Sequence, residues 1–247
     1  MFQFDAKNPL TWLPIAFASF FIIGLFITFA VAASYDQIMV PPEWPSISST
    51  GAYPPTSCIF TMVLVISGVI CYFCVMYMYL YLKVAFKDVI SESYNKAMLI
   101  CGILVAVGVM IVGCNQRPNI AILHLIGALL AFLVGAAYIG MMSWTTVLIK
   151  KKYDSAYPWW FIIMRWTFVG LEILSVILMF SFSAKRAESS HYATLGDLFE
   201  WFVAIWQSLF LASYCIEFSN FKNPEVLIQL THRFKLSKDR YRVGLAN

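Results

Sequence analysis

The polar positions of this chain are gathered into short segments, and between them lie six long apolar runs. The runs cover residues 12–33, 58–82, 97–114, 120–149, 159–183 and 198–218. A helix of about 20 apolar residues crosses the roughly 30 Å hydrocarbon core of a bilayer. The pattern therefore predicts an all-α, polytopic membrane protein, a six-helix transmembrane bundle. The fourth run is long enough to tilt or to project beyond the bilayer. The first run ends in Ala30-Val31-Ala32, which looks like a leader-peptidase site. Its apolar core is longer than about 15 residues, and Asp5 accompanies Lys7 ahead of it, so it reads as a retained helix. No solenoid-like repeat is visible. Residues 1–222 read as one transmembrane domain and residues 223–247 as a basic tail.

Composition agrees with that reading. Of 247 residues, 61% are hydrophobic and 12% charged, against roughly 25% charged in soluble domains. The mean hydropathy is +0.76. So much apolar surface cannot be hidden in one aqueous core, and no nucleic-acid partner is expected.

Charge then sets an orientation. With a cytosolic N-terminus, 13 of the 17 Lys and Arg residues fall in the cytosolic segments, three (Arg117, Lys185, Arg186) on the opposite side, and Arg165 within a span. The positive-inside rule therefore places both termini in the cytosol. In the tail, Asn223 and Pro224 suit a helix start, and Leu227, Leu230 and Phe234 recur at helical spacing among Arg233, Lys235, Lys238 and Arg240. The segment reads either as a short amphipathic helix on the anionic cytosolic leaflet or as a solvated basic tail.

The first loop, "PPEWPSISSTGAYPPTSC" at 41–58, is placed on the lumenal or outer side. Pro41, Pro42, Pro45, Pro54 and Pro55 cannot continue a helix and hold their predecessors extended. Gly51 can supply a turn with positive φ, and Ser46, Ser48, Ser49 and Thr50 can satisfy backbone groups in compact turns. With Trp44 and Tyr53 at the interface, this reads as a folded lumenal cap.

Ionisable residues inside spans are costly and mark functional hypotheses. Arg165 lies about two turns into span five, within reach of phosphate headgroups by snorkelling. Glu172 lies two turns deeper, too far for a direct pair, so it is neutral or held by a neighbouring helix. His124, Asp197 and Glu200 open spans four and six at one level and can converge under the loop. Such a trio can activate water, bind a metal, recognise a lipid headgroup or hydrogen-bond helix ends. No nucleophile motif, phosphate loop or metal-ligand spacing accompanies it, so no catalytic residue, metal or cofactor is assigned. Cys71 and Cys74 sit in an apolar run as small hydrophobes. Cys58 and Cys114 close helix ends on one side, at a distance that sequence does not fix. Gly102, Gly108, Gly127, Ala131 and Gly135 permit close helix contact.

These residues also carry a resemblance. Pro45, Ile47, Ser48, Thr50, Gly51, Pro54, Pro55 and Ser57 are similar to the first lumenal loop of the Frag/DRAM/Sfk family, the damage-regulated autophagy modulators and tentonin-like proteins. "HLIGALLAF" at 124–132, "EWFVAI" from Glu200 and Arg165 in span five agree with that family in order and spacing. The resemblance implies six spans with cytosolic termini. It also implies roles spread over autophagy, lipid-kinase regulation and lipid asymmetry, GPI-anchor remodelling and mechanosensitive currents, with no catalytic residues to carry over.

The expectation is a non-enzymatic subunit or regulator in lipid homeostasis. It binds membrane phospholipids, with Arg165, Glu172 and the tail cations as contacts, and anchors a lipid-handling partner such as a lipid-transfer protein or kinase scaffold in a larger membrane complex, with a link to autophagy. The alternatives are a lumenal lipid-remodelling enzyme using His124 and Glu200 and, more weakly, a modulator of a mechanosensitive channel. The expected location is an endomembrane (ER, Golgi or lysosome) or the plasma membrane.

Overall fold

A computed structural model of the chain describes residues 6–40, 43–154 and 156–219. The expected tail helix, with Arg233, Lys235, Lys238 and Arg240, lies outside the described residues, as do Pro41 and Pro42.

Among the described residues six helices are long and apolar enough to cross a membrane: Pro9–Ser34, Thr56–Ala85, Glu92–Cys114, Ala121–Lys152, Trp159–Ala184 and Ser190–Ser219. Each expected run is found, and several helices reach past their apolar stretch because polar residues cap them. Asn8 caps a 3₁₀ turn, Pro9–Trp12, that leads into α1 (Leu13–Ser34). Ser46 caps the single turn α2 (Ile47–Thr50) in the first loop, and α3 (Thr56–Ala85) follows. Ser91 Oγ accepts from the Tyr94 amide at the start of α4 (Glu92–Cys114), and Glu92 faces the positive end of the helix dipole. Span four is divided into α5 (Ala121–Leu129), a π-turn (Leu130–Val134) and α6 (Gly135–Lys152). Span five is α7 (Trp159–Ala184). Ser189 caps α8 (Ser190–Ala212), which starts eight residues before its apolar run, and α9 (Cys215–Ser219) completes span six.

The spans pack in chain order and close into a ring, with span one against span six. Loops 35–55, 115–120 and 185–189 share one end of the bundle, here the loop end. At the other end Asn8 Nδ2 donates to the Phe218 carbonyl at 2.9 Å, tying the start of span one to the end of span six.

The small residues do the packing expected of them. A Cβ on Gly108 would come within 2.7 Å of the Gly127 carbonyl, and one on Gly127 within 2.9 Å of the Gly108 carbonyl. The two backbones therefore touch where spans three and four cross, the close approach that glycine allows in lipid. Gly51 differs from its expected role. Its φ is −106°, and positive φ falls instead at Asp36 (52°). Gly51 is required because any Cβ there would fall on the ring of Phe60.

Candidate functional site

The first loop is built onto span six. Trp201 Nε1 donates to the Pro45 carbonyl at 2.9 Å, and the Ser48 amide donates to Glu200 Oε1 at 3.3 Å. Trp44 lies between the rings of Phe29 and Trp201, at 5.2 and 6.1 Å. Ile47 packs among Phe21, Leu25, Phe60, Val63 and Leu64. Ser48 is buried. Thr50 Oγ1 donates to the Ile47 carbonyl at 2.7 Å. At the far side of the loop, Gln37 Nε2 donates to the Pro54 carbonyl at 2.7 Å and Gln37 Oε1 accepts from Thr56 Oγ1 at 2.5 Å. Pro55 precedes the first turn of α3, and the buried Ser57 donates its amide to the Tyr53 carbonyl at 2.9 Å. The loop residues and the "EWFVAI" residues, joined by contacts 152 and 156 positions apart in sequence, are thus one unit.

Beneath this cap lies a cavity of about 410 Å³. His124, Asp197 and Glu200 all line it, so the structure brings together the trio singled out in the sequence. His124 Nδ1 is 2.7 Å from the Asn115 carbonyl. A carbonyl only accepts, so Nδ1 carries the proton in that bond. Two arginines that the sequence marked only as orientation charges also line the cavity. Arg186 forms an ion pair with Asp197, and Arg117 lines the same cavity. Deeper walls are apolar, from Leu125, Ala128, Leu129 and Phe132 on span four and Met179 and Phe180 on span five. Span four leaves this room because α5 packs on α4, whereas α6, beyond the π-turn, packs on α7. Among the described residues no group of His, Cys, Asp and Glu is arranged to hold a metal ion.

Two further polar nodes lie within the spans. Glu172 is fully buried on α7, and its Oε1 accepts from Gln207 Nε2 of span six at 2.6 Å. The same nitrogen is 3.2 Å from the Phe132 carbonyl, inside the π-turn. A π-turn lengthens the local ladder, and Gln207 fills the gap. Gly135 makes room, since a Cβ there would strike the Gln207 amide. Glu172 is therefore held by a neighbouring helix and does not contact lipid.

The reading of Arg165 as a group that snorkels to headgroups is corrected. It is 1% exposed, and each nitrogen of its guanidinium donates to an acceptor in the protein. Glu217 Oε2 accepts from Nη2 at 3.0 Å, and its Oε1 lies at ion-pair distance from Nη1, 2.8 Å. Thr146 Oγ1 accepts from Nη1 at 2.8 Å, and Ser213 Oγ lies 3.2 Å from Nε and 3.1 Å from Nη2. The ring of Phe161 lies 4.3 Å from the guanidinium carbon, and Tyr157 donates to Glu217 Oε1 at 2.9 Å. Such a forked, fully bonded pair meets the cost of burying both charges.

Glu217 and Gln207 were not singled out in the sequence. A signal existed for the first, because an arginine in a span needs a partner, and Glu217 is an acidic residue near the end of span six at a matching depth. For Gln207 there was none. Cys58 and Cys114 are free, exposed thiols.

A family model described as the Frag1/DRAM/Sfk1/Cwh43P N-terminal domain matches residues 9–221. Among curated proteins, the chain is 26% identical over 217 residues to a Danio rerio protein named "Modulator of macroautophagy TMEM150B", a match spanning 88% of this chain and 89% of the relative. It is 32% identical over 146 residues to a Xenopus laevis protein, "Modulator of macroautophagy TMEM150B-B", spanning 59% and 62%. It is 28% identical over 175 residues to "DNA damage-regulated autophagy modulator protein 2" of Mus musculus, spanning 69% and 64%. No solved structure matches.

Proposed function

The chain belongs to the Frag1/DRAM/Sfk1/Cwh43P family, and from that premise we propose that it is a non-enzymatic multi-pass regulator, linked to autophagy, that holds a membrane phospholipid. The headgroup sits in the loop-end cavity, and the acyl chains lie along the apolar walls of spans four and five. Both termini face the cytosol, so the cavity opens toward the lumen or the cell exterior. The compartment is an endomembrane or the plasma membrane, and the cytosolic tail engages a lipid-handling partner in a larger complex.

The observation that carries this reading is the cavity itself, polar at the mouth and apolar below. Its volume lies within the roughly 300–1,000 Å³ common for small-ligand sites. Glu200 accepts from the Ser48 amide of the cap and His124 bonds the Asn115 carbonyl at the end of span three, so both groups of the enzymatic alternative hold backbone, which favours binding over turnover. The relatives' names, which call them modulators, point the same way.

The test is gentle purification of the full chain followed by lipid mass spectrometry. A phospholipid is expected to copurify, and Ala128→Phe, which fills the cavity wall, is expected to deplete it while thermal stability persists. A wild-type protein free of phospholipid, or a folded Ala128→Phe protein with an unchanged lipid content, would overturn the reading.

A further inference from the structure

The charged groups around the cavity are not all paired with one another, and the unpaired ones have a definite chemistry. Arg186 and Asp197 satisfy each other as an ion pair. Arg117 lines the same cavity and has no hydrogen-bond or ion-pair partner among the described residues. Glu200 Oε1 accepts one long bond from the Ser48 amide, at 3.3 Å, and its Oε2 has no partner among the described residues. One cation and one carboxylate with spare acceptor capacity therefore face a shared space.

We infer that the cavity selects phospholipids whose headgroup carries an ammonium with at least one N–H beside its phosphate. This rests on the lipid-binding reading above and names the class of lipid. A phosphate supplies acceptors for the five donors of a guanidinium, and an ammonium supplies three N–H donors for a carboxylate. A quaternary choline nitrogen carries the same charge but has no N–H, so it leaves Glu200 Oε2 without a hydrogen bond. A phosphate alone leaves the carboxylate facing an anion, and a glycerol headgroup offers it neutral hydroxyl donors without a compensating charge. The acyl chains have an exit as well. Leu125 and Phe180 line the cavity and are 57% and 42% exposed on the bundle's flank, so the cavity continues to the lipid side between spans four and five. An ammonium placed on Glu200 also touches the residue that holds the Ser48 amide, so the lipid and the folded loop share one carboxylate.

The experiment uses the purified full chain in detergent and native mass spectrometry. The probes are dioleoyl-phosphatidylethanolamine, its N-methyl and N,N-dimethyl forms, and dioleoyl-phosphatidylcholine. A hydrogen bond to a charged group contributes about 1.5–3 kcal/mol, so binding is expected to fall by at least about tenfold when the last N–H is lost, between the dimethyl form and choline. Glu200→Gln is expected to reduce that step severalfold, and Arg117→Gln to weaken all four lipids alike. The unmodified chain alone decides the question if Glu200→Gln does not fold. Equal binding of all four lipids would overturn this inference while leaving phospholipid binding in place, whereas binding of none would overturn both. Glycerophosphoethanolamine, which lacks acyl chains, is expected to compete poorly. Competition equal to that of the lipid would identify a soluble headgroup as the ligand and overturn the lipid assignment.

Discussion

Gln207 of span six and Glu172 of span five meet at 2.6 Å in the interior of the bundle, and the same Gln207 nitrogen reaches the Phe132 carbonyl of span four. One side chain thus joins three spans. Glu172 Oε2 is buried without a hydrogen-bond partner among the described residues, so Gln207 supplies the donor that makes the carboxyl tolerable. Gln207→Leu is expected to destabilise the bundle by about 1–3 kcal/mol, the cost of an unsatisfied buried polar group. Replacing both residues by Leu is expected to recover most of the loss. A double-mutant cycle on thermal unfolding in detergent checks the pair, and additive losses would show that they act separately.

Arg165 and Glu217 follow the same logic at higher charge. Glu217→Ala leaves a buried guanidinium without its counter-ion, and breaking a buried pair costs about 3–5 kcal/mol. Arg165→Met with Glu217→Leu is expected to be nearly neutral, because both desolvation costs vanish together. Denaturation midpoints of the single and double variants decide this. A double variant as unstable as Glu217→Ala would contradict the account.

The cap offers a local readout. Trp201→Phe keeps an aromatic ring edge-on to Trp44 and Phe29 but removes the 2.9 Å bond to the Pro45 carbonyl, a net contribution of about 1 kcal/mol. Amide exchange at residues 46–50 is expected to quicken by roughly fivefold while exchange in the middle of α3 is unchanged. Uniform quickening across the bundle would mean that Trp201 supports the whole fold instead of the loop.

At the opposite end, Asp88 joins two connections between spans. Its carboxylate accepts from Lys152 at 2.8 Å and from the Tyr153 hydroxyl at 2.5 Å. Those two bonds, Lys152 first, lower its pKa from 3.8 to about 2. A lowered carboxyl stabilises the folded form above its unfolded value and loses that effect as pH falls through the folded one. The stability gap between wild type and Asp88→Asn is therefore expected to be constant above about pH 4 and to close on acidification toward pH 2. The group is exposed, so the gap is small. A gap that widens on acidification would reverse the assignment.

Much of the architecture was legible in the sequence, and for a simple reason: a span is announced by length and apolarity alone. The first loop is expected to fold because prolines, serines and a glycine have local meanings, but its hydrogen bond to Trp201 of span six has no local signal. Pairings across helices were not legible. Arg165 was read as reaching outward, although its partner lies 52 residues away, because pairing depends on how each helix is rotated about its axis. Arg117 and Arg186 were read as markers of orientation, and only the placement of α5, α7 and α8 turns them toward His124 and Glu200. Gly51 is a milder case. The residue type was noticed, but the constraint comes from Phe60 and not from φ.

The π-turn at Leu130–Val134 acts as a phase shifter. An α-helix advances about 100° per residue, and a π-turn accommodates one extra residue, so the two halves of span four are out of step by about that angle. Gly127 can therefore address span three while Gly135 addresses span six, along what looks in sequence like one continuous stripe of small residues. Deleting a single residue within 130–134 would restore an ordinary helix of nearly the same length and hydropathy. It would also swing Tyr138, Ile139 and Met142 out of the core, a lesion invisible to any measure that counts only how apolar the span is.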